Sequence, residues 1–202
     1  MSSLDPIFSE KIALDISGVL SFEIDQNKLF EEVKMAQQAT DYARRTPHWL
    51  GIPLRSVYGE LGENAMKATG IYNSPDETLY QDTKAMTPYI RKIIDDIGAP
   101  TFKVRILKLK AKKAIGEHAD NFQADDIIRL HIPIATHPLV EFWLDGEHYF
   151  IPPQRLSYLN VRKRHKVLNN SHIDRIHLVI DVKQTPELIE KVNANCKIIN
   201  PF

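Results

Sequence analysis

Two short segments decide the fold: residues 175–182 read RIHLVIDV, and residues 129–134 read RLHIPI. Neighbouring side chains on a β-strand point to opposite faces, so each segment places arginine and histidine on one face and aliphatic side chains on the other. Lysine and glutamate are more usual on a face that merely meets solvent. The pattern therefore predicts two strands whose polar face lines an interior pocket, as in the mouth of a barrel.

Other strand-like runs surround these two segments, separated by short turns. The second half of the chain lacks helical stretches long enough to connect parallel strands, which favours an antiparallel sandwich or barrel. The sequence thus predicts a mainly β protein with flanking helices around a double-sheet core. The predicted strands of this half are residues 102–109, 127–134, 139–144, 148–151, 156–161 and 175–182.

Three helices are predicted outside this core. Residues 27–44 follow Asp25 as an N-cap, and the closing helix at residues 185–193 has Thr185 in that role. A helix over residues 74–97 would be capped by Ser74, interrupted at Pro88 and ended by Gly98. We expect one domain over residues 1–202, comprising strands and supporting helices at 1–100, the β core at 101–183 and a C-terminal helix and tail at 184–202.

Composition excludes several classes of protein. Apolar residues make up 43% of the 202 residues, charged residues make up 26%, and the formal net charge is zero. These values are ordinary for a globular domain and do not call for nucleic acid or membrane as a partner. The single cysteine, Cys196, excludes an intramolecular disulfide and a cysteine-cluster zinc site. With no apolar leader and no apolar run of 18 residues, the sequence predicts a cytoplasmic location.

His118 and Asp120 form an H-x-D pair, which can present an imidazole and a carboxylate to one ion on an extended segment. A distant histidine would complete a facial triad that leaves metal positions open, as oxygen activation at Fe(II) requires. His165 follows several strands later and suits this role. A second pair, His172 and Asp174, has no such partner downstream and is expected to form a turn.

Arg175 stands ten residues after His165, at the start of the last aliphatic strand. An oxo acid bound to a metal needs a fixed cation for its distal carboxylate, and the planar guanidinium group of arginine supplies one. The ordered set of H-x-D, histidine and arginine therefore predicts a metal site with an adjoining carboxylate site.

Residues 165–169 (HKVLN) and 175–181 (RIHLVID) resemble the signature of the aspartyl/asparaginyl β-hydroxylase family. The R-x-H strand at 129–134 is similar to the family's equivalent strand, and the resemblance covers about residues 49–182. It implies a double-stranded β-helix fold (a jelly-roll, cupin-like core). It also implies a dioxygenase that depends on Fe(II) and 2-oxoglutarate.

By this resemblance His118, Asp120 and His165 bind iron, and Arg175 binds 2-oxoglutarate. Arg129 and His131 would lie near the metal-binding end of this cosubstrate or near the substrate. The family's reaction uses O₂, hydroxylates an unactivated C–H bond and releases succinate and CO₂. The peptidyl-aspartate branch often has glycine in place of Asp120, so this chain looks closer to the proline cis-hydroxylase branch.

The substrate is expected to be an amino acid, either free or within a peptide. Arg55 could hold a substrate carboxylate. Basic residues around His165, including Arg162 and Arg164, raise the alternative of an acidic or carrier-bound substrate, because such patches attract anions.

Two other functions stay open on the sequence. A catalytically silent jelly-roll module could use the same arginines and histidines to bind an anion, without producing succinate. A metal-dependent hydrolase could use the same three ligands with a metal-bound water, and it would not need Arg175.

Overall fold

A computed structural model describes residues 4–202. These residues form thirteen strands and four α-helices, numbered in chain order. The strands are β1 (Ala13–Asp15), β2 (Ala43–Thr46), β3 (Trp49–Val57), β4 (Tyr80–Asp82), β5 (Thr101–Leu109), β6 (Lys113–His118), β7 (Ile127–Ala135), β8 (Val140–Leu144), β9 (Glu147–Tyr149), β10 (Ser157–Leu159), β11 (His165–Asn169), β12 (Arg175–Lys183) and β13 (Lys197–Ile198). The helices are α1 (Pro6–Glu10), α2 (Gln26–Ala39), α3 (Pro88–Ile97) and α4 (Pro186–Asn195).

The strands form two antiparallel sheets. The larger sheet has the order β13-β1-β10-β7-β12-β5-β3-β2, with β4 paired to β3, and the smaller has the order β6-β11-β8-β9. Strand accounts for 35% of the chain and helix for 26%. The predicted mainly β jelly-roll core with flanking helices is confirmed.

The molecule has three layers. One apolar core lies between the helices and the outer face of the large sheet, where Ile90, Ile106 and Leu178 are fully buried. A second core lies between the two sheets and includes Leu109 and Phe142. The polar face of β7 and β12 points into this second space, as the alternation of residues 129–134 and 175–182 predicts.

The helix predicted over residues 74–97 is wrong in its first half. Pro88 is the first residue of α3 and not an interruption within a longer helix, because proline lacks the N–H that a helix interior requires. Asp76 caps a short 3₁₀ turn upstream, and β4 then pairs with β3. Gly98 ends α3 at φ 71°, in the left-handed region that favours glycine.

The helix after Asp25 is confirmed, with the Asp25 carboxylate accepting hydrogen bonds from two backbone N–H groups of its first turn. It ends at Ala39, and not at Arg44 as predicted, because the chain becomes extended at Thr40 and then forms β2. No helix among residues 4–202 is long and apolar enough to cross a membrane.

Candidate metal centre and its cavity

His118, Asp120 and His165 come together between the two sheets. His118 ends β6 and His165 begins the adjacent strand β11, where the two residues are register partners. Asp120 lies just beyond β6, and its backbone N–H donates to the Val161 carbonyl at 2.8 Å. The possible ligand atoms of the three side chains lie within 4.8 Å of one another. Two imidazoles and one carboxylate are a donor set that suits divalent iron.

Both histidines have the tautomer that a metal ligand needs. Nδ1 of His118 lies 2.8 Å from the Gly116 carbonyl, and Nδ1 of His165 lies 3.0 Å from the Lys163 carbonyl. A carbonyl only accepts, so each Nδ1 carries a proton, and in the neutral ring each Nε2 then offers its lone pair to a metal. These Nε2 atoms are the ones that face Asp120, at 3.6 Å from His118 and 3.9 Å from His165. The three residues therefore fit a metal ion.

The Asp120 carboxylate is held by a chain of buried charges. Arg129 pairs with Asp120 and also with Asp181, and Asp181 in turn accepts from Arg105 at 2.9 Å. Burial alone would raise the pKa of Asp120, but neighbouring cationic groups, chiefly Arg129, outweigh it and lower that pKa. Asp120 is therefore ionised and oriented before a metal binds.

Arg175 lies in the same cavity and is only 4% exposed. Its Nη2 donates to Nδ1 of His177 at 3.0 Å, and no carboxylate among residues 4–202 pairs with it. Burial lowers the pKa of Arg175 to about 9, with no opposing charge to offset the effect. A buried cation without a counter-ion is costly, so this position is suited to an anionic ligand.

His131 is another buried residue of the cavity with unpartnered polar atoms. Within the described chain neither of its ring nitrogens has a hydrogen bond, although the residue is 6% exposed. Burial, followed by the charge of Arg175, lowers its pKa well below the ordinary value. The ring is therefore neutral and offers one donor and one acceptor toward a bound molecule.

The structure brings six of the nine predicted site residues to this cavity, namely His118, Asp120, His165, Arg129, His131 and Arg175. Arg129 is committed to Asp120 and Asp181, so its geometry favours support of the metal ligand over direct contact with the cosubstrate.

The three residues predicted to contact substrate lie elsewhere. Arg55 pairs with Asp82 on β4 and donates to the Thr101 carbonyl. Arg162 donates to the carbonyls of residues 124, 125 and 127, and so braces the loop after Asp120. Arg164 is exposed and pairs with Glu117. The geometry gives no support to their predicted contact with substrate.

Two arginines of the cavity are missed by the sequence analysis. Arg105 on β5 lies two residues from Lys103 in an alternating strand, so its inward direction could have been read from the period of two. Arg45 on β2 has no such signal, because the helix predicted over residues 27–44 covers the start of that strand.

The chain is similar to several known proteins. The family profile described as aspartyl/asparaginyl beta-hydroxylase matches residues 11–185. No curated protein matches the chain. A solved 2OG-Fe(II) oxygenase family protein from Burkholderia pseudomallei is 16% identical, with 76% of each chain covered and a TM-score of 0.46. A cupin domain from Bordetella pertussis is 17% identical over 41% of this chain and 81% of its own, with a TM-score of 0.33. Because the family profile spans most of its length, the chain belongs to the aspartyl/asparaginyl β-hydroxylase family.

Proposed function

We propose that this protein is a dioxygenase dependent on Fe(II) and 2-oxoglutarate, which hydroxylates an unactivated C–H bond of an amino acid, free or within a peptide. The observation that carries the proposal is Arg175, a buried guanidinium without a carboxylate partner, in the cavity that also holds a His-Asp-His triad. A dianionic oxo acid would bind both features, with its keto-acid end at the metal and its far carboxylate at Arg175.

The charges of the cavity support an anionic cosubstrate. Four arginines (Arg45, Arg105, Arg129 and Arg175) line it, and two carboxylates, Asp120 and Asp181, lie against them. This leaves an excess of two positive charges before any metal binds. A divalent metal raises the excess, and a 2-oxoglutarate dianion offsets two charges of it.

His118, Asp120 and His165 would hold the iron. The bound iron supplies oxygen activation, in which 2-oxoglutarate and O₂ give succinate and CO₂ and one oxygen atom enters the substrate C–H bond. The protein's own part is to position the reactants. Arg129 fixes the ligating carboxylate of Asp120, and His177 orients Arg175 by accepting its N–H. The free N–H of His131 is available to a carboxylate of the cosubstrate.

The presence of Asp120 supports a substrate like that of the proline cis-hydroxylase branch. The alternatives are an anion-binding module without activity and a metal-dependent hydrolase. The unpaired Arg175 disfavours the hydrolase, because hydrolysis by a metal-bound water does not require a buried cation that binds an anion beside the metal.

An isotope experiment tests the proposal. Purified protein is incubated with Fe(II), 2-oxoglutarate, ¹⁸O₂ and the twenty L-amino acids, and succinate and hydroxylated product are analysed by mass spectrometry. We expect one labelled oxygen atom in succinate and one in the product. The Asp120→Ala variant should form neither. Folded wild-type protein that binds metal but forms no succinate would exclude the dioxygenase.

A further inference from the structure

Arg45 lies at a β-bulge of β2 and lines the cavity. Arg44 pairs with Leu50, and Thr46 pairs with Trp49, so two steps along β2 correspond to one step along β3. The extra residue is Arg45. Bulges are common beside active sites. Ala43 is buried, Arg44 is exposed, and Arg45 points to the same side as Ala43. Its guanidinium group lines the same cavity as His118, Asp120 and His165.

The Arg45 guanidinium packs on an aromatic ring and forms no ion pair within the described residues. It stacks over the Trp49 ring at 4.2 Å from the ring centroid. Burial, followed by the charge of Arg129, lowers the pKa of Arg45. Unlike Arg105 and Arg129, it forms no ion pair or hydrogen bond with any of residues 4–202. Stacking fixes the plane of the guanidinium group and leaves its N–H groups free.

Trp49 adds a second unpaired donor at the same place. Its indole Nε1 is buried and has no acceptor in the part of the chain that the structure describes. The centroid of its ring lies 6.1 Å from that of His118, so the indole lies beside a proposed metal ligand. A buried indole N–H normally finds a hydrogen-bond partner, and one left unpaired indicates an acceptor that a ligand supplies.

The neighbouring wall of the cavity is apolar and tightly packed. Ala43, Met66, Leu107 and Val179 form a small buried cluster against Trp49. A side chain at Gly51 would meet the Met66 methyl group at 2.3 Å, so the space beneath is already filled. A ligand bound by Arg45 and Trp49 therefore rests its remaining atoms on a compact aliphatic surface.

We infer that Arg45 and the Trp49 indole N–H form a subsite for the carboxylate of the substrate, and that the substrate is a small aliphatic acid such as a free amino acid. In the proposed function Arg175 binds the far carboxylate of 2-oxoglutarate. Arg45, the second arginine without an ion pair, would then bind the carboxylate of the substrate. This inference rests on the proposed function and names the substrate class of that same site. The substrate carboxylate would also offset part of the positive charge that remains in the cavity after 2-oxoglutarate binds.

The test compares each of the twenty L-amino acids with its carboxamide. Binding to the anaerobic Fe(II) and 2-oxoglutarate complex is measured from the shift of its visible absorption band. In a second measurement, Trp143→Phe protein reports binding through the fluorescence of Trp49. Arg45→Met removes the charge and Arg45→Lys keeps it without the planar fork. Arg44→Met is the matched control, because Arg44 is the exposed neighbour on the same strand.

We expect the wild type to bind at least one acid about 10-fold or more tightly than its amide, since a hydrogen bond to a charged group is worth about that factor. Arg45→Met should weaken acid binding about 10- to 100-fold, change amide binding little and leave 2-oxoglutarate binding intact. Arg45→Lys should recover part of the loss, and Arg44→Met should behave as wild type.

Two results would overturn the inference: equal binding of acid and amide by the wild type, or an unchanged preference in Arg45→Met. Wild-type protein that binds no amino acid would also overturn it. These outcomes differ from failure of the proposed function, in which the wild type forms no Fe(II) and 2-oxoglutarate band before any amino acid is added.

Discussion

Arg129 and Asp181 face each other across β7 and β12 and form a bidentate ion pair, with Nε–Oδ1 and Nη2–Oδ2 distances of 2.6 and 2.9 Å. The third arm of Arg129 reaches Asp120. Burial would raise the pKa of Asp181, but Arg129 and Arg105 together lower it to about 2. Asp181 thus keeps two arginines in place, and one of them holds a proposed metal ligand.

The Asp181→Asn variant tests this arrangement. It leaves two buried guanidinium groups without their shared carboxylate, and breaking a buried pair in this way costs about 3–5 kcal/mol. We expect a loss of that size in the free energy of unfolding, measured with urea. Metal affinity, measured by Mn(II) calorimetry, should fall about 10- to 100-fold, because Arg129 loses its support.

Asp82→Asn is the matched control, since Asp82 also binds two arginines, Arg55 and Arg91, at the surface. Such partly exposed pairs contribute about 0–1 kcal/mol. A similar loss of stability in both variants would contradict the buried-charge account.

Substitutions in the two H-x-D pairs test which pair binds the metal and which is a chance occurrence of the motif. We expect His165→Ala and Asp120→Ala to abolish stoichiometric Fe(II) binding, because each removes one of three ligands. The His172→Ala variant should bind iron as the wild type does, since His172 and Asp174 lie in the turn before β12, where His172 packs against His137. Iron content is measured by atomic emission on anaerobically loaded protein. Loss of iron in His172→Ala would place the centre elsewhere.

The buried amine of Lys103 makes stability depend on pH. Its Nζ donates to the Lys67 carbonyl at 2.6 Å, and burial together with the charge of Arg105 lowers its pKa from 10.5 to about 7. Between these two values the unfolded chain holds a proton that the folded protein lacks. Stability contributed by this group therefore rises with pH from about 7 upward, by at most about 1.4 kcal/mol per pH unit.

Lys103→Met removes this dependence. We expect the difference in the free energy of unfolding between wild type and variant to increase in favour of the wild type from pH 7 to pH 9. Urea unfolding at three pH values measures it. Parallel pH profiles for the two proteins would show that Lys103 keeps an ordinary pKa.

Arg162 has a structural role, whereas Arg164 forms only a surface ion pair. Arg162 holds three carbonyls of the loop after Asp120, so Arg162→Met should loosen that loop and increase hydrogen exchange at residues 121–127. Arg164 pairs with Glu117 in solvent, and Arg164→Met should change neither exchange nor stability measurably. An equal effect of both substitutions would contradict these assignments.

The sequence predicts the face of β12 and β7 correctly because the strict period of two in residues 129–134 and 175–182 leaves no choice of direction. It gives a weaker signal for β6, where only Ile115 is buried, and for β11, where two of the buried positions are His165 and Asn169. The direction of Arg45 is not predicted, because the helix expected over residues 27–44 covers the start of β2 and hides the period of two between Ala43 and Arg45.

Titration of the anaerobic protein with 2-oxoglutarate in the presence of Fe(II) tests the central claim most directly. The visible charge-transfer band of the complex is followed in wild type, in Arg175→Met and in the control Arg164→Met. We predict a saturating band in the wild type and in the control, and a strongly weakened one in Arg175→Met, which should fold at least as stably because it loses an unpaired buried charge. A band of equal affinity in Arg175→Met, or no band in folded, iron-loaded wild type, would contradict the account.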